Sequence, residues 1–436
     1  MIAAKRILLL GATGFIGSEI AKRLTAQGHE VTGLSRDCRT GVHRLPQLLW
    51  VSADLRDLQT PADWQHLISD IDIVVNASGA LQTGLRDDVG KVQASAIMAL
   101  ISAAEAKGIE FFLQISAAGA SSASSEFMTS KAAADSALST SSLQHCILRP
   151  GLVIGRNAFG GTEMMRMIAA IPLVAPSVQD ARPIQCVALS DVIEAVSNAV
   201  TNPEKHQGRF DLVEAESRLL SQIIDLHRLW LGFPPPLFSV AAPLWAIKPV
   251  SLFADMLGWF GWRSPLRRNS IAALINGVSG HADESEPMLG RPALPLPMIL
   301  QSVGSAGKAD RWHARAALLF PFVLASLIVL WLGSAILGLT RADAAADYLV
   351  IAGMENSLAH ALVLGGSLVD LAIAAALLFR PGLRIGLIAA ILATLAYMIG
   401  SLFFRPDLWL DPLGPMLKTV PVLALCLICL ATSDER

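Results

Sequence analysis

Three glycines spaced three apart, Gly11, Gly14 and Gly17, follow the apolar run Arg6–Leu10 in RILLLGATGFIGSEIAKRL. A strand that ends on a tight glycine turn and passes directly into a helix admits few folds. Gly11 can make the turn, Gly14 lets the backbone approach a pyrophosphate, and Gly17 lets the helix press on the sheet. The helix start offers N–H groups and a partial positive charge to a phosphate. Further β-rich runs follow at Glu30–Ser35 and at 71–76, 111–116 and 145–149, with helical stretches between them. That alternation predicts an α/β, doubly wound parallel sheet covered by helices on both faces.

The second strand ends at Ser35-Arg36. An acid there would suit the ribose hydroxyl of NAD, whereas the planar fork of an arginine suits a 2′-phosphate. The expectation is therefore NADP(H) over NAD(H), set against a plain solvated surface arginine. Asp54, in ADLRD, is a candidate to accept from the adenine amino group, or equally a turn or helix cap.

The other end of the chain belongs in a different solvent. Residues 311–436 hold 8 basic and 8 acidic side chains, most of them flanking apolar runs at 317–339, 357–379, 385–404 and 415–432. Each run is long enough for a helix to cross a hydrocarbon core of roughly 30 Å, so an all-α four-transmembrane-helix bundle is expected. Pro321, Pro415 and Pro421 fall early in their runs, where a missing N–H does least harm. The whole chain is 53% apolar and 16% charged, with mean hydropathy +0.52, which excludes a disordered or wholly soluble protein. A net charge of −2 gives no electrostatic case for nucleic acid.

Lys308, Arg311, Arg315, Arg380 and Arg384 flank the runs on one side; Arg341, Arg405 and Lys418 on the other are diluted by acids. This bias predicts a multi-pass protein of the cytoplasmic (inner) membrane, with the N-terminal domain and both termini in the cytoplasm. Met1–Arg6 has no signal-peptide pattern, and the five cysteines form no disulfide framework. The expected division is 1–231 for the nucleotide domain, 232–310 for an amphipathic lid and linker, and 311–436 for the membrane domain. Residues 277–310, rich in Gly, Pro and Ser, read as a linker or loose strap. Within 233–268, Phe238, Trp245, Phe253, Trp259, Phe260 and Trp262 precede Arg263, Arg267 and Arg268. Aromatics beside a basic cluster suit a segment on a membrane surface, or a lid over the nucleotide.

Asp370 lies mid-span, where a carboxylate must face a partner or a cavity. A proton or quinone-headgroup site and ordinary helix–helix hydrogen bonding both fit it. Asn356 and His360 share a helix face, with Glu355 at the water interface. Cys426 and Cys429 have CxxC spacing, which fits a redox pair, or packing residues of the apolar helix that holds them. No cluster has metal-site spacing.

These motifs resemble the atypical, extended branch of the short-chain dehydrogenase/reductase superfamily, a Rossmann fold, over about residues 2–231. GATGFIG matches its fingerprint; Asn76-Ala77-Ser78-Gly79, Ile115-Ser116-Ala117, Arg149-Pro150-Gly151 and VALSDVIEA are similar to its later motifs. The resemblance implies cofactor contacts from Gly11, Thr13, Gly14, Phe15, Ile16, Gly17, Arg36, Asp54, Leu55, Asn76, Ala77, Ser78, Gly79, Lys131 and Pro150. It implies Ser116 and Lys131 as catalytic residues alongside a tyrosine four positions before the lysine. That position is Phe127, and the chain's two tyrosines, Tyr348 and Tyr397, both lie in the membrane half. His145, Glu126 or a water are the substitute acids considered. A nucleotide domain without the tyrosine at a membrane resembles the accessory NAD(P)-binding subunit of respiratory complex I, and the tail resembles the DoxX-like family. The implied function is a membrane reductase of a hydrophobic, lipid or quinone-like acceptor, or else a non-catalytic nucleotide-binding scaffold or redox-sensing subunit of a membrane complex.

Overall fold

The computed structural model describes residues 4–79, 88–120, 125–178, 181–262, 264 and 266–433. Arg263 falls outside them. The chain divides into two compact units: Met1–Met256 with Ser264–Ala314, and Leu257–Arg263 with Arg315–Arg436.

In the first unit the strands are β1 (Arg6–Leu10), β2 (Glu30–Ser35), β3 (Leu49–Ser52), β4 (Ile73–Asn76), β5 (Phe111–Ile115), β6 (His145–Pro150), β7 (Leu152–Ile154), β8 (Val174–Val178), β9 (Cys186–Ala188), β10 (Gly208–Leu212) and β11 (Phe238–Ala242). Seven form one parallel sheet in the order β10-β6-β5-β4-β1-β2-β3. Two small parallel pairs, β7 with β9 and β8 with β11, complete the unit. The winding reverses between β1 and β4, where Leu10 pairs with Asn76. Such a switch point opens a crevice at the strand C-termini.

The pleat explains why β1 is apolar throughout. Ile7 and Leu9 face a layer containing Ile20, Leu24, Val192 and Val196; Leu8 and Leu10 face one containing Trp64, Leu100 and Phe112. Each fully buried aliphatic side chain contributes about 1.5–3 kcal/mol.

The 277–310 segment is packed, not loose. Met288, Leu296 and Ile299 are fully buried. Buried Asp191 accepts from Arg291 at 2.9 Å and from the Leu294 amide at 3.1 Å. Buried Glu214 accepts from the Leu296 amide at 2.8 Å and the Cys186 amide at 3.0 Å. Pro287 and Pro297 sit in the first turns of the short helices Glu286–Leu289 and Leu296–Ser302, and Gly290, at φ +68°, ends the first of them.

Among the described residues, three helices are long and apolar enough to cross a membrane: Lys308–Thr340, Asn356–Leu378 and Arg380–Phe404. The fourth run forms a helix of 14 residues, Thr419–Thr432, about 21 Å long at 1.5 Å per residue, so it falls short of a full crossing. Pro321 lies in the interior of a helix that starts at Lys308, not early in it. Leu327, Leu377, Leu387, Cys426 and Cys429 form the bundle interior, both cysteines unpaired and buried. Asp370 is 3% exposed and accepts from Ser334 Oγ at 2.6 Å and Tyr397 OH at 2.7 Å, joining three helices. His360 bonds the Asn356 carbonyl and Asp343 at the exposed end of its helix.

Candidate nucleotide-binding site

Two of the three glycines of the turn are sterically required. Gly11 has φ +75°, and a Cβ there would lie 2.6 Å from the Ala77 carbonyl oxygen. A Cβ on Gly17 would lie 2.1 Å from the Gly11 oxygen. Neither site can carry a side chain. The exposed Gly14 donates to the Gly11 carbonyl at 2.9 Å and opens the helix Phe15–Ala26, whose first turn holds no acid. Its leading N–H groups lack intrahelical acceptors, as in any helix start. Phe15 stacks on Phe159 with ring centroids 6.4 Å apart, and Thr13 and Ile16 are half-buried beside the turn. This cradle suits a diphosphate.

The loop after β4 is organised by Asn76. Its side-chain oxygen accepts from the Ser78 amide at 3.0 Å and the Ser78 hydroxyl at 2.6 Å, and its amide donates to Gln114 at 2.8 Å. Asn76 therefore shapes the loop Ala77–Gly79 from behind. Lys131 donates to the carbonyls of Ser78 at 3.0 Å and Ile115 at 2.8 Å. Burial pushes its ammonium down to about 8, partly countered by Asp135. Phe127 is half-buried one turn earlier on the helix Glu126–Thr140.

Ser116 departs from expectation. Its hydroxyl donates to Asp135 Oδ2 at 2.6 Å, and that oxygen also takes Arg149 Nε at 3.3 Å. All three side chains are buried. Burial raises the Asp135 carboxyl despite those donors, and Asp135 Oδ1 has no hydrogen-bond partner. Ser116 thus belongs to an internal polar cluster rather than presenting a free hydroxyl. Asp135 was missed, although it lies four residues after Lys131 and so shares its helix face.

At the other end of the crevice, Arg36 is exposed after β2. Asp54 accepts from the Arg56 amide at 2.9 Å and its guanidinium at 2.7 Å. That bond, with Arg36 contributing, holds its carboxyl below the usual range. Of the two readings of Asp54, the turn-forming one has partners here. Leu55 is buried in the sheet layer. Pro150 ends β6, where its carbonyl takes the Ala118 amide at 2.9 Å. His145 starts β6, at the opposite end of the strand from Pro150. Glu126 is exposed in the first helical turn. Asp211 comes from a distant strand to join His281 and Glu284, three residues apart, so that one ligand atom of each lies within 4.8 Å of the others. The His281 amide donates to Asp211 Oδ2 and the Asp211 amide to Glu284 Oε2, while the buried Asp211 Oδ1 has no hydrogen-bond partner.

A family model described as NAD(P)H-binding matches residues 11–166, and one described as DoxX-like matches 328–427. The chain is an NAD(P)-binding Rossmann domain fused to a DoxX-like domain. The Rossmann domain is similar in fold to the Bordetella bronchiseptica enzyme WbmG in complex with NAD, with TM-score 0.54 and 17% identity over 72% of this chain and 96% of that one. Among curated proteins it is 26% identical over 206 residues to an uncharacterized chloroplastic protein of Arabidopsis thaliana, covering 44% of this chain and 67% of that one. It is 25% identical over 194 residues to the ceramide reductase of Caulobacter vibrioides, covering 44% of this chain and 59% of the reductase. The match therefore spans less than two thirds of that enzyme. The DoxX-like domain and three long apolar helices indicate a lipid bilayer environment.

Proposed function

We propose that this protein is a membrane-anchored, NADP(H)-binding reductase of a hydrophobic or quinone-like acceptor. The carrying observation is the retention of Lys131, held by two carbonyls, one turn from a phenylalanine. The lysine keeps the ribose-binding half of the family's machinery, while Phe127 has no proton to give. When bound, the nucleotide would supply a hydride. Gly11, Thr13, Gly14, Phe15, Ile16 and Gly17 would hold its diphosphate. Arg36 would take the 2′-phosphate, Leu55 and Asp54 would flank the adenine, and Ala77, Ser78, Gly79 and Pro150 would border the nicotinamide. A quinone needs a hydride and one proton, and water can supply that proton. The likeness to a ceramide reductase supports a lipid-soluble acceptor. The charge bias of the helix flanks supports the cytoplasmic face of an inner membrane for the Rossmann domain.

A second reading, favoured by Phe127 itself, is a non-catalytic nucleotide-binding scaffold or redox-sensing subunit of a membrane complex. Following NADPH oxidation by the detergent-purified chain, with quinones and lipid ketones as acceptors, separates the two. Turnover supports the reductase. Phe127→Tyr should raise ketone reduction by about 10²-fold, within the range for a general acid. Tight NADPH binding without turnover in either form overturns the reductase reading.

A further inference from the structure

Five apolar side chains of the helix Leu244–Trp259 are exposed. Trp245, Leu252, Phe253 and Trp259 are 74%, 58%, 58% and 68% exposed, and Met256 is exposed with them. Trp245, Leu252 and Trp259 are seven apart, and Met256 is four beyond Leu252, so they form one stripe. Ser251 and Ala254 of the same helix are buried. Exposed Lys248 lies beside the stripe.

Chain continuity fixes what can cover this stripe. Three residues past Trp259, Trp262 donates its indole N–H to the Leu378 carbonyl at 2.6 Å, and the Arg380 amide donates to the Phe260 carbonyl at 2.9 Å. Arg380 also sits 5.6 Å over the Trp262 ring, and Trp262 packs on Phe320. Leu378 and Arg380 mark the tight turn between two helices long enough to span a membrane. A turn joining two spanning helices lies at a bilayer surface, where tryptophan and arginine are at home. The C-terminal end of the exposed helix is therefore tethered at that surface.

We infer that the helix Leu244–Trp259 is an interfacial membrane-docking element whose Trp245–Leu252–Phe253–Met256–Trp259 stripe lies in the headgroup–acyl boundary of the bilayer that the chain spans. A helix of this kind buries its apolar face roughly 5–10 Å into that boundary. Lys248 adds attraction to anionic headgroups. A lipid-soluble molecule could then pass along the stripe without crossing water. The inference rests on the spanning helices and not on the reductase reading.

The test uses the full chain in phosphatidylcholine–phosphatidylglycerol vesicles. Environment-sensitive fluorophores are placed on cysteines at Leu252→Cys and Met256→Cys in a Cys38→Ser background, the other four native cysteines being buried. Lys107→Cys, on an exposed helix end of the Rossmann domain, is the control. Docking predicts at least twofold quenching by shallow spin-labelled lipid at 252 and 256, little quenching by aqueous iodide, and the reverse at 107. Iodide quenching at all three positions overturns the inference. Protection at 252 and 256 from both quenchers also overturns it, because a protein would then cover the stripe. Flotation with the vesicles checks separately that the spanning helices inserted.

Discussion

Ser116 gives its hydroxyl proton to Asp135 at 2.6 Å, and Arg149 approaches the same carboxylate oxygen at 3.3 Å. This joins the end of β5, the helix Glu126–Thr140 and β6 beneath the nucleotide crevice. Ser116→Ala should destabilise the chain by about 1–3 kcal/mol, because it removes the shorter of two donors to a buried carboxylate oxygen. Asp135→Ala should do more, roughly 3–5 kcal/mol, because it leaves the buried Arg149 uncompensated. Thermal scans of the detergent-solubilised variants rank the two; the reverse order would refute this account.

Lys131 gives a pH signature. Its folded value is pushed down to about 8 from an ordinary 10.5. Between those limits the unfolded chain binds the proton and the native one does not, so stability should rise with pH from about 8 to 10.5, by roughly 3 kcal/mol in all. Lys131→Met should erase that slope while weakening NADPH binding at least tenfold. Melting curves across the alkaline range, paired with nucleotide titrations, read both effects.

His227 works at the acid end. It is fully buried, with Nδ1 on the Ile223 carbonyl and Nε2 unpartnered. Burial pushes it down to about 4 from 6.5. Here the unfolded chain takes the proton first as pH falls, so stability is full above about 6.5 and drains away towards 4, by roughly 3 kcal/mol. His227→Leu should flatten this limb, as denaturant titrations at pH 7 and pH 5 would reveal.

Arg36→Ala separates the two cofactors. The proposed 2′-phosphate contact predicts a loss of about tenfold or more in NADPH affinity, equivalent to roughly 1.4 kcal/mol, with NADH unchanged. Equal effects on both nucleotides, measured by calorimetry, would remove Arg36 from the specificity argument.

Local features were readable from sequence. The turn Gly11–Gly17, the strand–helix alternation and the long apolar runs each depend on near neighbours. The pairings that fill the interior were not. Asp370 announced itself by depth, but Ser334 and Tyr397 are its partners across two other helices, and nothing in local spacing identifies them. Arg291 meets Asp191 a hundred residues away, so its segment looked like solvent-exposed linker. Ser116 was placed correctly at the end of β5, but its neighbour Asp135 redirects the hydroxyl. Residue type and position alone did not reveal that direction.

The clasp on Arg291 decides where the gene can be cut. A fragment ending near residue 231, where the motif pattern stops, would discard Met288, Leu296 and Ile299, take Arg291 and the Leu294 amide from Asp191, and take the Leu296 amide from Glu214. It would leave an oily scar along the sheet and, at Asp191, an unanswered carboxylate. The shortest fragment with a sealed flank runs on through Ser302, past everything that first looked dispensable.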